Sequence, residues 1–188
     1  MVSIVLCPGI HDPVLTEQFW KAIQQTQGLH SPKADIQHAY IQHAYIVSDA
    51  QQRAFSPVHT LQFLHKTFPM SEPLVLIGFS AGVVGMAGAA WAWQQQGGII
   101  RALVALDGWG VPLYGSFPIY RLSHDGFTHW SAQALGMGQT PFYADPGVAH
   151  LELWRSPDQA WGWWEKAGQR QWTNAAIVIC SILSKDCA

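Results

Sequence analysis

Short, almost uninterrupted apolar runs alternate with amphipathic stretches along the whole chain. Residues 3–7 (SIVLC), about 43–48, 74–78, 99–106, 117–123 and about 141–144 read as strands. Helical spacing fills the intervals. Asp12-Pro13 is an N-cap followed by a proline at the first helical position, and Val14, Leu15, Phe19, Trp20 and Ile23 follow on one face, fading near Gly28. Ser56-Pro57 repeats the signal ahead of Val58, Leu61, Leu64 and Phe68. A third helix runs from the end of the 74–78 strand to Gln96, where Gly97-Gly98 stops it. Ser156-Pro157 predicts another helix start. Thr173 is the expected cap of the last segment, AAIVICSIL, whose β-branched residues keep a strand open as the alternative.

Strands that are apolar on both faces and separated by helices predict a parallel sheet covered on both sides. The expected fold is therefore α/β: a three-layer α/β/α sandwich with a mostly parallel sheet of about six strands. No linker or charge block interrupts the pattern, so residues 1–188 are expected to form one domain. In such sheets ligands bind at the carboxyl ends of the strands. The polar residues falling there are His11, Asp12, Ser80, Asp107, His124, Asp125 and His150. Residues 74–93 are uncharged and mostly apolar, but Pro73 and the Gly78-Phe79-Ser80-Ala81-Gly82 interruption argue for strand, turn and helix, not a membrane span. The tandem Ile-Gln-His-Ala-Tyr repeat over 36–45 is too short for a solenoid.

Composition narrows the function classes. Charged residues make up only 12% of the 188, against a usual share of about 25%, and the formal net charge is -2. With no basic stripe, there is no electrostatic case for nucleic acid. Ten tryptophans on a weakly charged surface point to an apolar binding face or a subunit contact, so a homodimer is one expected use of that face. Cys7, Cys180 and Cys187 form no disulfide framework, and the N-terminus lacks the basic start and long apolar stretch of a signal peptide. Both features lead to the expectation of a cytoplasmic protein.

The chemistry centres on Gly78-Phe79-Ser80-Ala81-Gly82. A tight turn between strand and helix needs glycines on either side of the serine, because side chains would collide with the two elements. Small residues continue into the helix at Gly85, Gly88, Ala89 and Ala90, allowing close approach to the sheet. The turn exposes the Ser80 hydroxyl and sets the Ala81 amide at a helix N-terminus, where negative charge is favoured.

This segment resembles the nucleophile elbow of the α/β-hydrolase superfamily. The order of serine, acid and histidine, each after a later strand, is similar to that family's over essentially the whole chain. No lid-length insertion is visible, so the resemblance is to compact, lidless esterases and cutinase-like members. It implies Ser80 as nucleophile, His150 as base and Asp125 as acid, with Asp107, after the preceding strand, as the alternative and Asp145 further behind. It also implies an oxyanion hole from the Ala81 amide and a donor in the loop Pro8-Gly9-Ile10-His11. Ile10 is the aligned donor and His11 the alternative, and a proline stands where the family's loop begins with histidine. His11, Asp107 and Trp109 are the expected substrate contacts. Trp109, Trp130, Trp154, Trp161, Trp163 and Trp164 either border an apolar pocket or, for at least half of them, anchor the core. His124 and His129 flank Asp125, too small a set to indicate a metal, and neither metal nor cofactor is expected. The implied activity is hydrolysis of a neutral, apolar ester or thioester through an acyl-enzyme. The alternative is a non-catalytic binding or assembly protein retaining the fold.

Overall fold

The computed structural model describes every residue except 1, 31–43, 49, 137, 167 and 188. The first copy of the tandem repeat, and most of the second, lie outside the described residues. The elements follow in the order β1 (Ser3–Cys7), α1 (Pro13–His30), β2 (Ala44–Ile46), α2 (Ala50–Arg53), α3 (Pro57–Thr67), β3 (Pro73–Phe79), α4 (Ala81–Gln95) and β4 (Ile99–Leu106). The second half holds β5 (Ile119–Ser123), α5 (Gly126–Ala132), β6 (Phe142–Ala144), α6 (His150–Arg155), β7 (Trp161–Lys166), β8 (Gln169–Asn174) and α7 (Ala175–Asp186).

The strands form one sheet in the order β2-β1-β3-β4-β5-β6-β7-β8. Pairing is parallel from β2 through β6 and antiparallel from β6 to β8. The chain steps from β1 to β2 in one direction and then to β3 on the other side of β1. The carboxyl ends of β1 and β3 therefore flank the switch point, where open parallel sheets hold ligands.

Period-two alternation sends side chains to both faces. Ile4, Leu6, Val75, Ile77, Phe79, Val104 and Leu106 join Phe19 and Ile23 of α1 and Val178, Ile179 and Ile182 of α7 in one core. Val5, Cys7, Leu74, Leu76, Leu103 and Ala105 join Leu64 of α3 and Val83, Met86, Ala89 and Trp93 of α4 in the other. The helices thus cover both faces, as the continuous apolar strands predict. Glycine at position 82 is required by contact: a Cβ there would run into the backbone carbonyl of Cys7, so only a bare Cα lets α4 lie against the end of β1.

Four local expectations change. The sheet has eight strands, not six, because residues 161–174 form the β7–β8 hairpin. Ser156-Pro157 opens only a turn, whose Pro157 carbonyl accepts from the Ala176 amide and so tethers the start of α7. That last helix is capped by Asn174, whose side chain accepts from the Ile177 amide at 2.9 Å, while Thr173 lies within β8. Of the six late tryptophans, only Trp154 and Trp164 are buried. The three cysteines are free thiols. No helix of the described residues is long and apolar enough to cross a membrane.

His129, 9% exposed, stacks on Tyr143 with ring centroids 4.7 Å apart. Burial holds its imidazole below the usual histidine range, with Glu165 opposing and Arg170 adding. The unfolded chain takes up this proton near pH 6.5, the folded protein only at lower pH. Stability is therefore lost as pH falls from about 6.5 towards the folded value, and the loss then levels off. His129→Phe is expected to flatten that part of the acid limb in a plot of urea midpoint against pH. An unaltered limb would rule out this linkage.

Candidate active site

The serine turn forms as its glycines require. Ser80 sits at φ 53 and ψ -122, outside the regions a residue with a side chain normally occupies. It is held there by its amide donating to the Leu106 carbonyl at 2.9 Å and by its own carbonyl accepting from Val83 at 3.0 Å. Strand β4 on one side and α4 on the other thus fix the turn. Ala81 opens α4, whose first amides have no intrahelical acceptor. The loop after β1 presses against the serine: a Cβ on Gly9 would stand 3.0 Å from that of Ser80. Ile10 of this loop is 62% exposed, and the ring of His11 lies 5.7 Å from that of Phe79.

The acid nearest His150 is Asp107, not Asp125. Asp107 follows β4 at φ 50, with its amide donating to the Leu122 carbonyl at 2.9 Å. Its side chain is 1% exposed. Oδ1 accepts from the His124 amide at 2.8 Å, and Oδ2 lies 2.8 Å from Nδ1 of His150. Asp125, one strand later, caps α5, its carboxylate accepting from the Thr128 amide at 2.7 Å. Burial works to raise the Asp125 carboxyl, but the Thr128 amide and hydroxyl and the charge of His124 hold it below the usual carboxylate range. The expectation that Asp125 faces His150 is therefore corrected: its Oδ1 is taken by the helix cap, and its Oδ2 lies 3.5 Å from Nε2 of His124. Asp145, the remaining alternative, accepts from Nε1 of Trp163.

His150 is the first residue of α6. Its ring stacks on Phe79 at 4.7 Å and 25°. Phe79 stacks in turn on Trp154 at 5.1 Å, and Trp154 on Phe19 at 3.8 Å. Trp154 also donates to the Thr16 hydroxyl at 3.2 Å. One face of the imidazole thus rests on a column of aromatic rings, and one edge is held by a buried carboxylate.

Sequence reasoning gave no role to His124. Its Nδ1 lies 2.9 Å from the same Oδ2 of Asp107, close enough for charge pairing, yet it is sealed from solvent without an aligned hydrogen bond. Its Nε2 is 3.5 Å from Asp125. Contact with Asp107, and the charges of both carboxylates, hold the imidazole above the usual histidine range against the opposing effect of burial. His124 immediately precedes Asp125 at the end of a strand, and that was the available signal.

Ser80, Ala81, Asp107, His124 and His150 open on one cleft of about 500 Å3, walled by Val84, Trp109, Val111, Phe127 and Thr128. Trp109 is fixed by its indole N–H donating to the Ser131 hydroxyl at 2.9 Å. The wall is anchored from below by Arg121, 4% exposed, whose guanidinium donates to the carbonyls of Gly108, Val111, Leu135 and Gly136. Of the expected substrate contacts, Trp109 and Asp107 reach the cleft, Asp107 as the partner of His150. His11 is not among the cleft residues. No protein-family model matches the chain, and no curated protein is significantly similar to it.

Proposed function

We propose that the chain is a serine hydrolase of the α/β-hydrolase type, cleaving a neutral, apolar carboxylic ester or thioester. The observation that carries this reading is one cleft shared by a serine on a positive-φ strand-to-helix turn and a histidine whose Nδ1 is held 2.8 Å from a buried carboxylate. Asp107 fixes the His150 tautomer with the proton on Nδ1, leaving Nε2 to accept the Ser80 proton as Oγ attacks the carbonyl carbon. The oxyanion accepts from the Ala81 amide at the start of α4 and from an amide of the loop Pro8-Gly9-Ile10-His11, which abuts Ser80. His150 then gives its proton to the leaving alcohol or thiol. A water activated by the same imidazole releases the acid from the acyl-enzyme.

The cleft wall supports the substrate class. Val84, Trp109, Val111 and Phe127 supply apolar surface, and among the described residues no Lys or Arg lines the cleft to pair with an anionic substrate.

A fluorophosphonate probe tests the reading. Covalent label is expected on Ser80 alone, in folded protein, and is lost in Ser80→Ala. Absence of label, or mass mapping to another residue, would refute the hydrolase and favour a binding protein on the same fold.

A further inference from the structure

We propose that Asp107, His124 and His150 form a site for one divalent ion of the zinc class, and that its binding reversibly switches off the serine. The inference rests on the hydrolase reading for its consequence, but the site itself stands on geometry. One ligand atom from each residue lies within 4.8 Å of the others. Nδ1 of His150 and Nδ1 of His124 stand 2.8 and 2.9 Å from Asp107 Oδ2, about half an ångström inside the ~3.3 Å separating neighbouring ligands of a tetrahedral ion with bonds of about 2.0–2.1 Å. Two imidazoles and a carboxylate suit zinc, and three protein ligands leave a position for water.

A triad needs only one histidine against its carboxylate, so the second imidazole is unexplained by hydrolysis. Its Nδ1 is buried and faces Oδ2 of Asp107 at 2.9 Å without an aligned hydrogen bond, so a lone pair or proton there is poorly used by the protein alone. Behind it, Nε2 faces Asp125 at 3.5 Å. Histidines that bind metal commonly give their other ring N–H to a carboxylate, which orients the ring and strengthens the ligand. The His124 amide, by holding Oδ1 of Asp107, turns Oδ2 towards both rings. The three ligands come from the ends of β4 and β5 and the start of α6, all fixed by backbone pairing.

The effect on catalysis follows from proton positions. An ion on Nδ1 of His150 takes that lone pair, so the one proton of the neutral ring resides on Nε2. Nε2 is the atom that must accept the proton of Ser80, and protonated it can accept nothing. The proton displaced from His124 goes to solvent, so binding weakens as pH falls.

Calorimetric titration of the chelator-treated protein with Zn2+ is expected to give one ion per chain. His124→Gln should weaken binding at least thirtyfold, and Asp125→Asn, which keeps a residue able to cap α5, about tenfold. The rate at which fluorophosphonate labels Ser80 should fall in step with zinc occupancy and return on chelation. No saturable binding, or binding equally tight in both variants, would overturn the site. Labelling unchanged or faster in the zinc-loaded protein would overturn the switch. Zinc binding with no label in metal-free protein would refute the hydrolase reading, and the switch with it, while leaving the ion site standing. Labelling without zinc binding would refute the site alone.

Discussion

On the hydrolase reading, replacing Asp107 by Asn is expected to lower ester turnover by about four orders of magnitude with the fold intact, whereas Asp125→Asn is expected to cost less than about tenfold. The difference follows from what each carboxylate touches. Asp107 faces Nδ1 of His150 at 2.8 Å from a buried position. An amide in its place presents either an N–H to that nitrogen or an oxygen with no charge to stabilise the imidazolium. Asp125 instead receives the Thr128 amide, and asparagine caps helices about as well. Steady-state hydrolysis of a short p-nitrophenyl ester by the two variants decides between them. The reverse order would return the role of acid to Asp125, and equal losses would refute its assignment to Asp107 alone.

A single methyl group at position 82 should unfold the protein more effectively than any change in the cleft. In Gly82→Ala the new Cβ meets the Cys7 carbonyl, which is backbone and part of β1, and also the Pro8 carbonyl. Neither can swing aside as a side chain would, so α4 must lift from the sheet. The expected loss is about 3 kcal/mol or more, at or above the top of the usual range for overpacked cores, because the clash is with backbone. For a chain of this size that lowers Tm by about 10 °C or more. Gly28→Ala is the control, because a Cβ there meets nothing within 4 Å on α1 and should be neutral or slightly stabilising. A Tm shift below about 2 °C in Gly82→Ala would show that the strand end yields.

Ser80 was legible because its turn needs glycines at fixed positions, and His150 because one histidine follows the sixth strand. Which carboxylate faces His150 was not, since Asp107-Gly108 and Asp125-Gly126 read alike as aspartates after a strand. What separates them is the use of Asp125 as a cap, visible afterwards in Thr128 three residues on, where α5 begins. The β7–β8 hairpin was obscured for a similar reason. Ser156-Pro157 promised a helix, and the alternation in WGWWEK, with Gly162 and Trp164 inward and Trp161 and Trp163 turned further out, carries little contrast when its first four residues are all Trp or Gly. His124 was hidden because its partners lie 17 and 26 positions away, and only the strand order joins them.

The column of rings beneath His150 gives the two sides of the cleft different kinds of permanence. Phe79, Trp154 and Phe19 belong to the sheet and the helices against it, so His150 loses its orientation only when the main core opens as a cooperative unit. The opposite wall hangs on exposed Phe127, on Trp109 and on one arginine gripping four loop carbonyls. A lineage could therefore exchange its clientele by rewriting that wall, residue by residue, while the proton-handling side stays as it is.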